Sequence, residues 1–202
     1  LKINGSGANT LNGVTLRGDL TMTSGNFLRV ANGLTLRNEA NTANGVGNIA
    51  GSNLAFTTTQ TFDNATLNLS AGTNLSVESS SVLTLGSGAV VQGSGIVGGT
   101  QQVLGGSETI INQGTIRGNV SGQTLTVGNT SSMTLTNAAG ALIEATGGGN
   151  VTINAGSWTN AGTLRVASAT STMNIDGAIT AGGLGVYDNT AGGTFNITGT
   201  LT

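Results

Sequence analysis

Eight carboxylates are spread along the 202-residue chain, at Asp19, Glu39, Asp63, Glu78, Glu108, Glu144, Asp176 and Asp188, and even the nearest two in sequence, Asp176 and Asp188, belong to different segments. Paired carboxylates do the acid–base work of glycosidases and polysaccharide lyases. Here that chemistry would need a fold that stacks residues distant in sequence. There is no histidine to act as a base or metal ligand, and no cysteine. Serine–lysine chemistry would have only Lys2 to draw on. The residues therefore predict no catalytic, cofactor-binding or metal-ligating set, and no cofactor.

Short motif matches have plainer readings. Gly93-Ser94-Gly95-Ile96-Val97-Gly98 satisfies the dinucleotide-binding glycine pattern, but no helical periodicity follows, so it reads as a corner. Arg17-Gly18-Asp19 spells a tripeptide used by integrin ligands, yet it reads first as a strand ending in a glycine turn. Gly147-Gly148-Gly149-Asn150 lacks the aspartate of calcium-binding β-roll repeats. Sequons such as Asn64-Ala65-Thr66 are expected in a chain so rich in Asn and Thr. Thr-x-Thr triplets at Thr124–Thr126 and Thr134–Thr136 are not one period apart, so they predict no aligned threonine rank of the ice-binding kind.

The elements that would position any of these residues are short and recurrent. An apolar-polar-apolar triplet returns as Met133-Thr134-Leu135, Val151-Thr152-Ile153, Met173-Asn174-Ile175 and Phe195-Asn196-Ile197. Asn112, Asn137 and Asn160 form a second series, and Asn12-Gly13-Val14-Thr15-Leu16-Arg17 returns as Asn32-Gly33-Leu34-Thr35-Leu36-Arg37. Each triplet is a period-two strand with its apolar residues on one side. One coil cannot bury that side alone; a second coil stacked ~4.8 Å away covers it and pairs the backbone. The 35 glycines supply corners, and the absence of proline fits a fold in which each would delete a ladder bond. The fold class expected is an all-β single-stranded parallel β-helix, a β-solenoid of about nine coils of roughly 22 residues, with 1–202 as one segment of a longer chain or of an end-to-end assembly. Residues 38–60 are the least regular and read as an insertion looping off one coil.

Three structural roles follow from that periodicity. Asn112, Asn137 and Asn160 are expected to form a corner ladder, with stacked amides bonded along the axis and backbones free to take left-handed turns. Arg17 and Asp19, followed one coil later by Arg37 and Glu39, are expected to form exposed cross-coil charge pairs. Trp158 is expected in the core or a corner.

The runs GAVVQGSGIVGG (88–99), INQGTIRGN (111–119) and WTNAGTLRV (158–166) resemble repeats of bacterial autotransporter passenger domains and filamentous-haemagglutinin-like adhesins. The resemblance implies a right-handed β-helix, in line with the general handedness of parallel crossovers. It also implies an extracellular or bacterial cell-surface location. The function expected is a noncatalytic structural or adhesive scaffold, a segment of a surface adhesin or fibre. Its expected partners are adjacent β-helix coils of the same or neighbouring chains, surface glycans and other host or cell-surface molecules. The alternatives are a carbohydrate-active β-helix enzyme of lyase or glycosidase type, thinly supplied with aromatic rings for sugar stacking, and a self-assembling extracellular filament subunit. Six basic residues against eight acidic ones give a net charge of −2, which disfavours nucleic acid. No stretch nears the ~18 apolar residues of a membrane helix, so no membrane insertion of this segment is expected.

Overall fold

A computed structural model describes residues 1–4, 9–99 and 107–202, and the chain winds as an all-β parallel solenoid. The strands follow from the alternation in the sequence: apolar side chains point inward and Thr, Asn or charged residues point outward. Each turn lays down three strands on three faces. The first face stacks nine strands in chain order: Lys2–Ile3, Leu20–Met22, Gly45–Ile49, Ala65–Leu69, Val90–Gly93, Thr115–Gly118, Leu142–Ala145, Thr163–Val166 and Val186–Asp188. From the first to the last there are about 8 turns of ~23 residues, slightly fewer and longer than the sequence period implies. The average hides a wide spread. The step from Lys2 to its partner Thr21 is the shortest on this face, and the step from Thr21 to Asn48 is as long as any.

The second and third faces join into one twelve-stranded sheet, because the long strands Asn9–Arg17, Phe27–Arg37, Thr124–Asn137 and Asn150–Asn160 run past the corner between them. Short strands fill the other turns, Asn53–Phe56, Asn74–Val77, Gly95–Val97, Thr172–Ile175 and Thr194–Ile197 on the second face, and Gln60–Phe62, Val82–Leu85 and Thr109–Asn112 on the third. Ala178–Ile179 and Thr200–Leu201 pair with each other in the last two turns.

Register makes the core a set of columns. Leu20, Gly47, Leu67, Val91, Ile116, Ile143, Leu164 and Tyr187 are successive partners on the first face. Leu28, Leu54, Leu75, Val97, Val127, Ile153, Ile175 and Ile197 are successive partners on the second. All the aliphatic members are buried except Ile197 at the end. Each full burial stabilises by about 1.5–3 kcal/mol. Trp158 is buried above Leu135 in the third-face core.

Corners are tight. Gly93 and Gly95 flank the corner at Ser94 with φ of 118° and 150°, and a Cβ on Gly93 would collide with the Leu69 carbonyl oxygen. The glycine-pattern match is thus a corner, as its lack of a following helix implied. The irregular stretch expected over 38–60 shrinks to 38–43. Asn38 Oδ1 accepts bonds from the backbone N–H of Thr42 and Ala43 at 2.8 and 3.1 Å, closing the loop on itself. Arg37 and Asn44 form an antiparallel bridge at its neck, and the strands that follow belong to a regular turn.

Candidate functional site

The side chains that could act on anything outside the molecule lie on the outward positions, and the first face arranges them most regularly. Its central outward column runs Lys2, Thr21, Asn48, Asn68, Gln92, Arg117, Glu144, Arg165 and Asp188. In-register parallel strands place these side chains ~4.8 Å apart, close enough for each to bond the next. Asn68 Nδ2 donates to Asn48 Oδ1 at 2.8 Å, and Gln92 Nε2 donates to Asn68 Oδ1 at 2.9 Å. Arg117 reaches Gln92 Oε1 at 3.4 Å through one guanidinium nitrogen and pairs with Glu144 Oε1 through Nε. Arg165 donates to Glu144 Oε2 through Nε at 2.9 Å and through a terminal nitrogen at 2.6 Å. Glu144 is therefore buried between two partly exposed arginines, each holding a different oxygen. Pairing on both sides offsets the cost of removing its charge from water.

The column ends at Asp188, whose carboxyl is held below the usual range. The first cause is the Thr190 backbone N–H, donating to Oδ1 at 3.0 Å, followed by the Thr190 side chain; Arg165 contributes less. Tyr187, Asp188, Asn189 and Thr190 line an open cleft of about 640 Å³. The Tyr187 ring lies 4.9 Å from that of Phe195.

Asn112, Asn137 and Asn160 stack as direct register partners. Asn112 Nδ2 donates to Asn137 Oδ1 at 2.8 Å, and Asn137 Nδ2 donates to Asn160 Oδ1 at 2.7 Å. Asn160 Nδ2 finishes the chain on the Leu184 carbonyl at 2.7 Å. All three are buried and end strands, so their contribution comes from the side chain. The left-handed asparagines are Asn32, Asn41 and Asn64 instead.

The charge pairs expected at Arg17, Asp19, Arg37 and Glu39 are not formed; among the described residues the ion pairs are those of Glu144. Arg17 is the direct register partner of Arg37. Identity at one-turn spacing stacks like charge on like, whereas the Glu144 column alternates sign. Arg17 ends a strand and Gly18 turns with φ of 90°, the plain reading of that tripeptide.

The two threonine triplets do not line up with each other, as their spacing implied. Thr124–Thr126 and Thr134–Thr136 sit on different faces of one long strand, so the offset between them is not a coil step. Their partners in the next turn are Asn150, Thr152, Ser157 and Thr159, which gives aligned ranks of mixed Thr, Asn and Ser.

Two acids meet that the sequence left apart. Glu78 and Glu108 are both buried. Glu108 Oε1 accepts from the Val77 N–H at 3.3 Å. Its carboxyl is pushed up to about 7, chiefly by burial and further by the Glu78 charge, against the lowering effect of the Val77 bond. That is the protonation range of a general acid. Neither acid lines the open cleft, which lies at residues 187–190. Among the described residues, no group of three or more Asp or Glu gathers where a metal ion could be held. No helix is long and apolar enough to cross a membrane, which does not bear on β-barrels.

Sequence reasoning missed the first-face column. Its signal was present in Arg117, Glu144, Arg165 and Asp188, which alternate in sign at steps close to the coil period. Comparison with family models, curated proteins and solved structures finds no match.

Proposed function

We propose that this chain is a noncatalytic extracellular scaffold, a segment of a bacterial surface adhesin or fibre. One observation carries the reading: on the first face, outward polar groups from Asn48 to Arg165 bond to one another along the axis. Groups committed to neighbouring turns stiffen a rod and are poorly placed to turn over a substrate. The Glu78 and Glu108 pair, the nearest approach to acid–base chemistry, is buried at a corner of the solenoid. The second face adds ranks of Thr and Asn, with Thr124, Asn150, Thr172 and Thr194 in one column and Thr126, Thr152, Asn174 and Asn196 in the next. Such a surface offers repeated hydroxyl and amide groups to glycans. The resemblance of runs 88–99, 111–119 and 158–166 to adhesin repeats supports the bacterial-surface assignment.

The test displays the chain on beads and measures retention on glycan arrays and on cultured cells. In parallel, reducing-end and unsaturated-product release is followed on a panel of polysaccharides. Retention without turnover is expected. Turnover that Glu108→Gln abolishes would overturn the noncatalytic reading, and absence of retention on every surface would overturn the adhesive one.

A further inference from the structure

Glu78 and Glu108 reach the same corner from successive turns. The strand Gly95–Val97 ends opposite Leu75. Two residues past that end, the Val77 N–H donates to Glu108 Oε1 at 3.3 Å, which brings the carboxyl to the strand edge. Ser80 Oγ accepts the Ser107 N–H at 3.2 Å, tying the segment after Glu78 to the one before Glu108. Ser79 and Ser80 both turn with left-handed φ, 62° and 53°, a conformation that costs free energy in residues other than glycine.

The Val77 side chain belongs to the core, so Ser76 and Glu78 on either side of it project from the opposite face of the strand. At Thr126, Thr152 and Asn174 such positions stay partly open to solvent. Ser76 and Glu78 are both 0% exposed, and Glu108 is 1% exposed. Two of the oxygens gathered around Val77, Glu108 Oε2 and Ser76 Oγ, have no hydrogen-bond partner among the described residues. Buried polar atoms are nearly always satisfied, so each calls for a donor or a cation. Among the described residues no arginine or lysine pairs with Glu108, and the Glu78 charge opposes its own. A water molecule would meet the hydrogen-bonding need and leave the repulsion in place.

Two carboxylates and a hydroxyl are hard oxygen donors with up to two negative charges, the donor set of a divalent cation such as calcium or magnesium. Burial decides between them. Magnesium gives up its water reluctantly, which a corner this enclosed opposes, whereas calcium accepts irregular oxygen geometry. We propose that Glu108 Oε2, the Glu78 carboxylate and Ser76 Oγ form a calcium site that fastens the corner between the second and third faces. The cation offsets both charges and satisfies both oxygens. The acids alone do not make the site; the buried serine hydroxyl beside them completes it. This goes beyond the scaffold reading, which needs no metal.

The test uses the 202-residue chain, freed of metal with a chelator and then dialysed. Extracellular calcium modules bind at roughly 10⁻⁴–10⁻³ M, so equilibrium dialysis against CaCl2 is carried to ~10 mM. A single saturable site per chain is expected, with a melting temperature that rises as it fills. Glu108→Gln and Glu78→Gln remove a charge while keeping the side-chain shape, and Ser76→Ala removes the hydroxyl. Each should weaken calcium binding on the order of tenfold or more. Glu39→Gln, at an exposed loop position, should bind like wild type. Circular dichroism checks that every variant is folded, and the wild-type titration stands without them. Absence of saturable binding, meaning a corner filled by water alone, would overturn the proposal. So would undiminished binding in any of the three site variants, or magnesium binding more tightly than calcium. Glycan retention and polysaccharide turnover are measured separately, so the scaffold reading stands or falls on its own.

Discussion

Asn137 Nδ2 donates to Asn160 Oδ1 at 2.7 Å while Asn137 Oδ1 accepts from Asn112 Nδ2 at 2.8 Å. One buried amide therefore serves the turn on either side of it. Replacing it with leucine removes both functions and leaves an Asn112 donor and an Asn160 acceptor without their partners. Unmet buried polar groups cost about 1–3 kcal/mol each. Asn137→Leu is expected to lower the urea midpoint by an amount equivalent to about 2–4 kcal/mol. A midpoint equal to wild type would show that the amide chain contributes nothing to stability.

Glu144 invites the opposite kind of test, because its removal leaves two like charges facing one another. In Glu144→Ala, Arg117 and Arg165 lose their shared acceptor and sit two turns apart across a small side chain. A loss of about 2–4 kcal/mol is expected, from the broken network and the residual repulsion. The repulsive part is screenable, so raising NaCl to about 1 M should recover some stability in the variant and less in wild type. Parallel salt responses of the two proteins would exclude a coupled triad.

Arg37→Glu should behave differently. Arg17 and Arg37 are direct partners on an outward face, one exposed and the other half-buried. The substitution turns a like-charge pair into an opposite-charge one. Stability at low salt is expected to rise by up to about 1 kcal/mol. A fall in melting temperature would mean that Arg37 has a favourable partner in solution.

These three sites show which parts of the molecule were legible in the sequence. The solenoid and the Asn112, Asn137 and Asn160 ladder were visible because the same residue type returns at the coil period. The outward column around Glu144 was hidden for the complementary reason: its members alternate in type, so no residue repeats. Arg17 and Arg37 misled because a repeat of identical charge was read as a lattice of opposite ones. Turn length also varied, from the short step between Lys2 and Thr21 to the long one between Thr21 and Asn48, which blurred the count of turns and made 38–60 look like an insertion. The meeting of Glu78 with Glu108 depends on how one particular corner folds, and no periodicity reports that.

Glu108 gives the molecule a specific pH response. Its carboxyl is raised to about 7 in the folded chain, from an ordinary glutamate value of 4.5. Between those values the folded state holds a proton that the unfolded state has released. Stability must therefore fall as pH rises through this window and level off above it. Well below pH 4.5 both states are protonated and the contribution is fully present. The size of the change is on the order of 1–3 kcal/mol. Glu108→Gln keeps the shape of the neutral acid and cannot ionise. The difference in unfolding free energy between wild type and this variant, measured at intervals from acid to mildly alkaline pH, isolates the residue from the other seven acids. Wild type is expected to lose stability relative to Glu108→Gln across that window. A difference that stays constant with pH would mean that Glu108 titrates like an exposed glutamate and that its surroundings do not hold it neutral.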